Sequence, residues 1–179
     1  MKDVIYMFAM SLDGYIARTD GSFDWLEHYP PDADYDFDAF LDSVTGIIMG
    51  RGSYEAARRD GSWDYGRWPC VVATHRAIDD LPENVASIAG PPATLLDEVR
   101  RKGANGRIWL FGGGDLVSQF IQADLLDTIE IGTIPVILGS GLPAFGWAGK
   151  DVWLDLEFAK PLGNGAVHSR YAVRKAGQV

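Results

Sequence analysis

Hydrophobic positions along the chain fall into two rhythms. Stretches that are apolar at almost every place, Val4 to Met10, Gly46 to Met49, Cys70 to Ala73 and Ile108 to Phe111, predict strands covered on both faces. Between them, apolar residues recur three and four apart. This predicts helices carrying Phe37, Phe40, Leu41 and Val44, then Leu95, Leu96 and Val99, then Leu116, Val117, Phe120 and Ile121, with Ser118, Gln119 and Gln122 on the outer side of the last. Leu126 to Ile134 reads as a further strand, and Trp153 to Ala159 and Ala166 to Val173 as two more, joined by the turn residues 161–165.

Punctuation between these elements sharpens the picture. Asp34 or Asp36 can cap the first helix, and Thr94 and Asp97 have capping-box spacing at the start of the second, which Gly103 ends. Residues 14–26, with Asp20-Gly21 at their turn and Phe23 and Trp25 after it, read as a long loop folded over a pocket. The run Gly139, Gly141, Pro143, Gly146 reads as irregular, and 134–147 as an interface, a pocket wall or a well-packed loop. Strands alternating with helices and closing on a hairpin predict an α/β domain over residues 1–179. Its central sheet is mixed, mainly parallel and flanked by helices, with a C-terminal antiparallel hairpin.

The chain has 179 residues, 47% of them hydrophobic, which suits one domain with an ordinary core. No signal peptide or long apolar run is visible, so the expected location is the cytoplasm, with no membrane partner. A formal charge of −9 argues against nucleic acid as a partner, although a few local arginines can still hold one small anion. Cys70 is the single cysteine, so a disulfide framework or a cysteine-rich zinc site is excluded, and no metal site is expected. Its apolar neighbours make it an inert core thiol.

Three strands end in glycine or basic residues where a helix or turn begins: Gly50-Arg51-Gly52-Ser53, Thr74-His75-Arg76, and Gly112-Gly113-Gly114-Asp115-Leu116. If these ends share one sheet edge, guanidinium groups, hydroxyls and a helix N-terminus converge there, which suits a ligand with separated phosphates. Each signal taken alone has a local reading as well. Arg51 can pair with Glu55, Asp13-Gly14 can be turn chemistry, and triple glycine can serve only strand–helix packing.

Four segments carry a family likeness: Met10 to Ala17, Ile48 to Glu55, Gly112 to Gly114, and Ile134 to Gly141. On these the chain resembles the dihydrofolate reductase-like superfamily, most closely the reductase domain of the bifunctional riboflavin-biosynthesis deaminase-reductase and its stand-alone relatives. The resemblance implies NADPH along the sheet's carboxyl edge. Gly50, Arg51, Ser53, Thr74, His75 and Arg76 would stand at the adenosine ribose and its phosphate. Gly112, Gly113, Gly114, Asp115 and Leu116 would take the pyrophosphate, and Ala9, Ile16 and Gly21 would line the nicotinamide. It further implies hydride transfer to a small heterocyclic or sugar-pyrimidine substrate, with Asp13 or Asp34 as the catalytic carboxylate, and a homodimer. Lys102, Arg107 and Lys150 are the basic residues left for a substrate phosphate. With one cysteine the chain cannot carry the deaminase zinc site. A folate reductase and a catalytically silent nucleotide-binding module remain as alternatives.

Overall fold

In the computed structural model, which describes residues 3–29, 35–59, 65–175 and 177, the chain opens with β1 (Val4–Ser11) at the middle of an eight-stranded sheet. There follow β2 (Tyr15–Ala17), α1 (Phe37–Ser43), β3 (Val44–Gly50), α2 (Arg51–Arg59), β4 (Cys70–Ala73), β5 (Val85–Ile88) and α3 (Pro92–Arg101). The second half comprises β6 (Arg107–Gly112), α4 (Gly114–Gln122), β7 (Thr128–Ile134), β8 (Leu142–Pro143), β9 (Leu154–Pro161) and β10 (Val167–Val173). Strand order is β5-β4-β3-β6-β1-β7-β10-β9. The six strands from β5 to β7 run parallel, and β10 and β9 pair antiparallel beyond them.

The alternation of side chains along β1 explains the two layers. Tyr6 points with Ile48, Leu110, Leu95, Val117 and Phe120 into the core under α3 and α4. Ile5 points the other way, with Phe40, Ile47, Met49, Trp68 and Trp109 under α1 and α2. Gly46 is required by this packing, since a Cβ there would come 2.6 Å from the Ala104 methyl and 2.9 Å from Val99. Cys70 is fully buried, and burial pushes its thiol up to about 12.

Several local expectations are corrected. α1 stops at Ser43 because Val44 has already turned to extended backbone; Asp36 caps the helix, its carboxylate accepting the Ala39 N–H at 2.8 Å. α3 begins at Pro92, whose missing N–H costs nothing in the first turn, so Thr94 lies inside the helix and no capping box forms there. Ser118 is buried, not on the outer face, with its hydroxyl donating to the Gly114 carbonyl at 2.9 Å. Residues 14–26, read as a long loop, contain regular structure. β2 pairs with β8, inside the stretch read as irregular, and a 3-10 turn at Asp24–His28 buries Trp25 against Ile134 and Ala166. β5 is an additional strand, its short run Val85–Ile88 having only modest apolar character.

Candidate functional site

The carboxyl end of β1 is where the covering layers run out. Val4, Ile5 and Tyr6 are buried, whereas Met7, Phe8, Ala9 and Met10 are only half-buried although the strand is central. Apolar side chains left partly bare on both faces of a middle strand mark this edge as the candidate cleft.

Beside it, the neighbouring strands deliver their glycines. β3 and β6 pair with Met49 opposite Gly112, and a Cβ placed on Gly50 would stand 3.5 Å from the Gly112 oxygen and 3.7 Å from the Gly113 nitrogen. The starts of α2 and α4 are thus adjacent. The three glycines of this turn have different reasons. Gly112 has φ +116°, a conformation that side chains rarely adopt. Gly114 lies so close to the segment ahead of it that a Cβ would fall 2.6 Å from the Pro143 oxygen. Gly113 has extended backbone, and a Cβ there would meet nothing within 4 Å. Gly52 is likewise open. α4 therefore presents its N-terminal N–H groups beside bare backbone, the arrangement that favours negative charge.

Arg51 is a cation of this edge, and its local partner is present. Its Nε donates to Glu55 at 2.5 Å, and Nη1 donates to the carbonyls of Arg76 at 3.3 Å and Ala77 at 3.2 Å. Arg51 thereby ties α2 to the segment after β4. There the Thr74 hydroxyl accepts from the Arg76 N–H and donates to the Arg76 carbonyl, closing a tight polar turn around His75. Ser53 is half-buried in the first turn of α2.

Asp13 stands at the exit of β1 and is bound to the chain's own amides. Its carboxylate accepts the N–H groups of Leu138 at 3.1 Å and Gly139 at 2.8 Å. The Ser11 hydroxyl donates to it as well, and these bonds hold the carboxyl below its ordinary range. Residues 134–147 form a strap stitched to this region. Leu12 N–H donates to Val136, Ala144 N–H to Gly14 and Gly146 N–H to Gly114, while the Tyr6 hydroxyl donates to the Ala144 carbonyl at 3.0 Å. The strap is therefore stitched to the domain by backbone bonds, while Ile137, Leu142 and Trp147 on it stay exposed.

Ala9 lies opposite Gly132 of β7, one place beyond the level of the last residue of β6. Ile16 is half-buried in β2, and Gly21, at φ +84°, shapes the turn whose ends are clamped by the Arg18–Asp24 ion pair at 2.6 Å. Asp34 lies outside the described residues. Two of the three basic residues left over for a substrate phosphate are at the opposite edge. Arg107 begins β6 and pairs with Asp3 at 3.0 Å, and Lys102, just after α3, donates to the Glu83 carbonyl. Lys150 is exposed beside a groove of about 550 Å³ that includes Phe145, Trp147 and Leu154.

One polar cluster escaped the sequence reading. Glu130 of β7 and His168 of β10 are buried on the α1 face, with His168 Nε2 2.8 Å from Glu130 Oε1. The signal is a glutamate flanked by two isoleucines at an inward position of the strand, two places before a glycine. Among the described residues no group of three or more His, Cys, Asp or Glu could hold a metal ion, and no helix is long and apolar enough to cross a membrane.

Comparison with known proteins adds four findings. A family model described as the RibD C-terminal domain matches residues 63–168. The chain is 36% identical over 172 residues to the uncharacterized protein YwjB of Bacillus subtilis, covering 95% of this chain and 97% of that one. Among solved structures it is similar to a protein assigned to riboflavin biosynthesis from Shewanella sp. PV-4, with a TM-score of 0.84 and 26% identity over 98% of this chain and all of the other. The Enterococcus faecalis dihydrofolate reductase, solved with NADP(H), shares the fold at a TM-score of 0.64 and 14% identity, covering 97% of each chain.

Proposed function

Because this chain belongs to the RibD C-terminal domain family, we propose that it is an NADPH-dependent reductase of the riboflavin-biosynthesis type, acting on a small heterocyclic or sugar-pyrimidine substrate. The observation that carries this reading is the open space at Gly113. Gly113 has no neighbour within 4 Å of its absent Cβ, and it caps a helix N-terminus beside the half-bare end of β1.

The residues fit such a coenzyme. The N–H groups of Gly114, Asp115 and Leu116, reached across bare Gly113, would meet the pyrophosphate. Arg51, with Ser53, Thr74, His75 and Arg76 around it, would hold the ribose phosphate through the guanidinium nitrogen not engaged by Nε and Nη1 contacts. Ala9, Ile16 and Gly21 would line the nicotinamide. When bound, NADPH supplies a hydride. Asp13, held ionised by three donors, organises the rim of the cleft and leaves proton delivery to another group. Asp34, next in the chain to Tyr35, is kept as the acid.

Fluorescence titration with NADPH and NADH, followed by single-turnover NADPH oxidation with a ribosylamino-pyrimidine phosphate and with dihydrofolate, tests the reading. Tight, NADPH-selective binding and faster oxidation by the pyrimidine support it. Preference for dihydrofolate would make the chain a folate reductase, and binding without turnover a silent module. Failure to bind either nucleotide would end the proposal. The homodimer belongs to the same proposal, with exposed Trp147, Trp153 and Leu156 as its apolar face, and light scattering decides it.

A further inference from the structure

The chain enters α1 through Tyr35 and Asp36, and the support for that entry comes from the far end of the sequence. The ring of Tyr35 stands edge-on to the imidazole of His168 on β10, with centroids 4.8 Å apart and planes at 87°. Tyr35 in turn stacks on Phe37 at 6.2 Å, and Phe37 meets the Trp109 ring of β6 edge-on at 6.3 Å. Between β6 and β10 lie β1 and β7, so the two supports are three strand spacings apart, about 14 Å. Trp109 is level with Ile5 of β1 and His168 with Ala9, all on the α1 face of the sheet. The rings of Tyr35 and Phe37 therefore bridge the middle strands diagonally, toward the end of β1 where Met7 and Ala9 are half-buried.

The support on β10 is itself fixed. His168 is 7% exposed, and its Nε2 lies 2.8 Å from Glu130 Oε1. A contact of that length needs a proton between the two atoms, and a neutral or a charged imidazole supplies one, so the ring is held in either form. The other oxygen of Glu130 stands 3.8 Å from Arg170, which also contacts Glu157 at 3.0 Å. Phe158 of β9 closes edge-on against the imidazole at 4.9 Å. Burial, and then the charge of Glu130, push the Tyr35 phenol above its ordinary range, so Tyr35 meets His168 as an uncharged ring. Replacing a buried acid–base pair by apolar residues is often neutral for stability, and what such a pair adds is a fixed direction for the groups it holds.

We infer that His168 and Glu130 are positioning residues for the proposed reaction: Glu130 fixes the imidazole, the imidazole seats Tyr35, and the seat sets where the chain enters α1 over the half-bare end of β1. In this role neither touches substrate or coenzyme. The inference rests on the reductase reading, which keeps Asp34, the residue before Tyr35, as the acid. Consecutive Cα atoms are about 3.8 Å apart, so a displacement of Tyr35 passes to its neighbour almost undiminished, and misplacing a reacting group by about 1 Å can slow a reaction about a hundredfold.

The test uses the full chain, with NADP⁺ affinity measured first. Tyr35→Leu removes the ring, Tyr35→Phe keeps it, and His168→Leu/Glu130→Gln removes the seat without leaving a buried carboxylate unpaired. By hydrogen exchange, the Ala39 and Phe40 amides, which bond to Asp36, should exchange about fivefold faster in Tyr35→Leu and in the double variant, with Tyr35→Phe and the α4 amides unchanged. The second measurement is single-turnover NADPH oxidation with the ribosylamino-pyrimidine phosphate or dihydrofolate, whichever the wild type reduces faster. Tyr35→Leu and the double variant should lose about tenfold in saturating rate while NADP⁺ affinity holds, and Tyr35→Phe should stay within about twofold of wild type. Combined with Asp34→Asn, Tyr35→Leu should slow the reaction no further, a non-additivity that a merely structural contact would not produce. Unchanged exchange at Ala39 and Phe40, equal rate losses in Tyr35→Phe and Tyr35→Leu, or the full loss repeated in the Asp34→Asn background overturns the positioning role. Absence of NADP⁺ binding or of turnover in the wild type instead overturns the reductase reading, and the positioning role with it.

Discussion

Gly50 and Gly113 belong to different strand–helix junctions 63 positions apart, yet a Cβ on the first would lie 3.7 Å from the backbone nitrogen of the second. The two junctions make one surface, and substituting each glycine of that surface should give a different result.

Gly113→Ala should leave the fold intact, costing up to about 1 kcal/mol because alanine is a poor residue at a helix N-cap. It should weaken NADPH at least tenfold by filling the space beside α4. Gly114→Ala drives a methyl to within 2.6 Å of the Pro143 oxygen, so it should destabilise the fold by about 1–3 kcal/mol. Urea unfolding and fluorescence titration on the two variants check the contrast.

Arg51→Ala should weaken NADPH by about 1.5–3 kcal/mol and leave NADH nearly unchanged, the loss of one charge-assisted contact to the ribose phosphate. Glu55 competes for the same guanidinium through an exposed pair of the kind that contributes only tenths of a kcal/mol. Glu55→Gln should therefore tighten NADPH two- to threefold. Equal changes for both nucleotides in either variant would remove Arg51 from the phosphate site.

Asp13 couples the strap to pH. Its folded pKa is depressed, so the stabilisation it gives is present above the unfolded carboxylate value of about 4 and is lost as pH falls through the lower folded value. The protection factors of the Leu138 and Gly139 amides, their exchange relative to the intrinsic rate at each pH, should hold at pH 5 and fall in more acidic solution. In Asp13→Asn both amides should exchange faster already at neutral pH. Turnover should show no ionisation limb from Asp13 above pH 5.

Cys70 should resist iodoacetamide in the native protein, since its thiol is fully buried and pushed up to about 12, and should react once the chain is unfolded. Mass spectrometry before and after denaturation reads this directly.

Gly46→Ala should cost about 1–3 kcal/mol without altering nucleotide affinity, because it overpacks the contact between β3 and α3 far from the cleft. Thermal unfolding and titration together separate this from a site effect.

The main strands and helices were legible because their apolar periods are strong, and the glycine and arginine junctions because each ends a buried strand. Contacts between remote segments were not. Nothing local in Gly139 to Gly146 announces that the run pairs with β2 and closes against Gly114, since those bonds depend on where other segments lie. Arg51 illustrates the same limit: its i+4 partner is readable from spacing, but its bonds to Arg76 and Ala77 need the strand order. The Glu130–His168 pair spans 38 positions and two strands, and only the oddity of a glutamate in an apolar strand hinted at it.

The strand at the middle of the sheet is longer than the helices that shelter it, and that mismatch in length has an architectural consequence. The cleft is an overhang of the scaffold itself, so its existence does not depend on the pieces that roof it. Exchanging the strap or the turn around Gly21 between relatives would change what fits under the roof while the scaffold stays as it is.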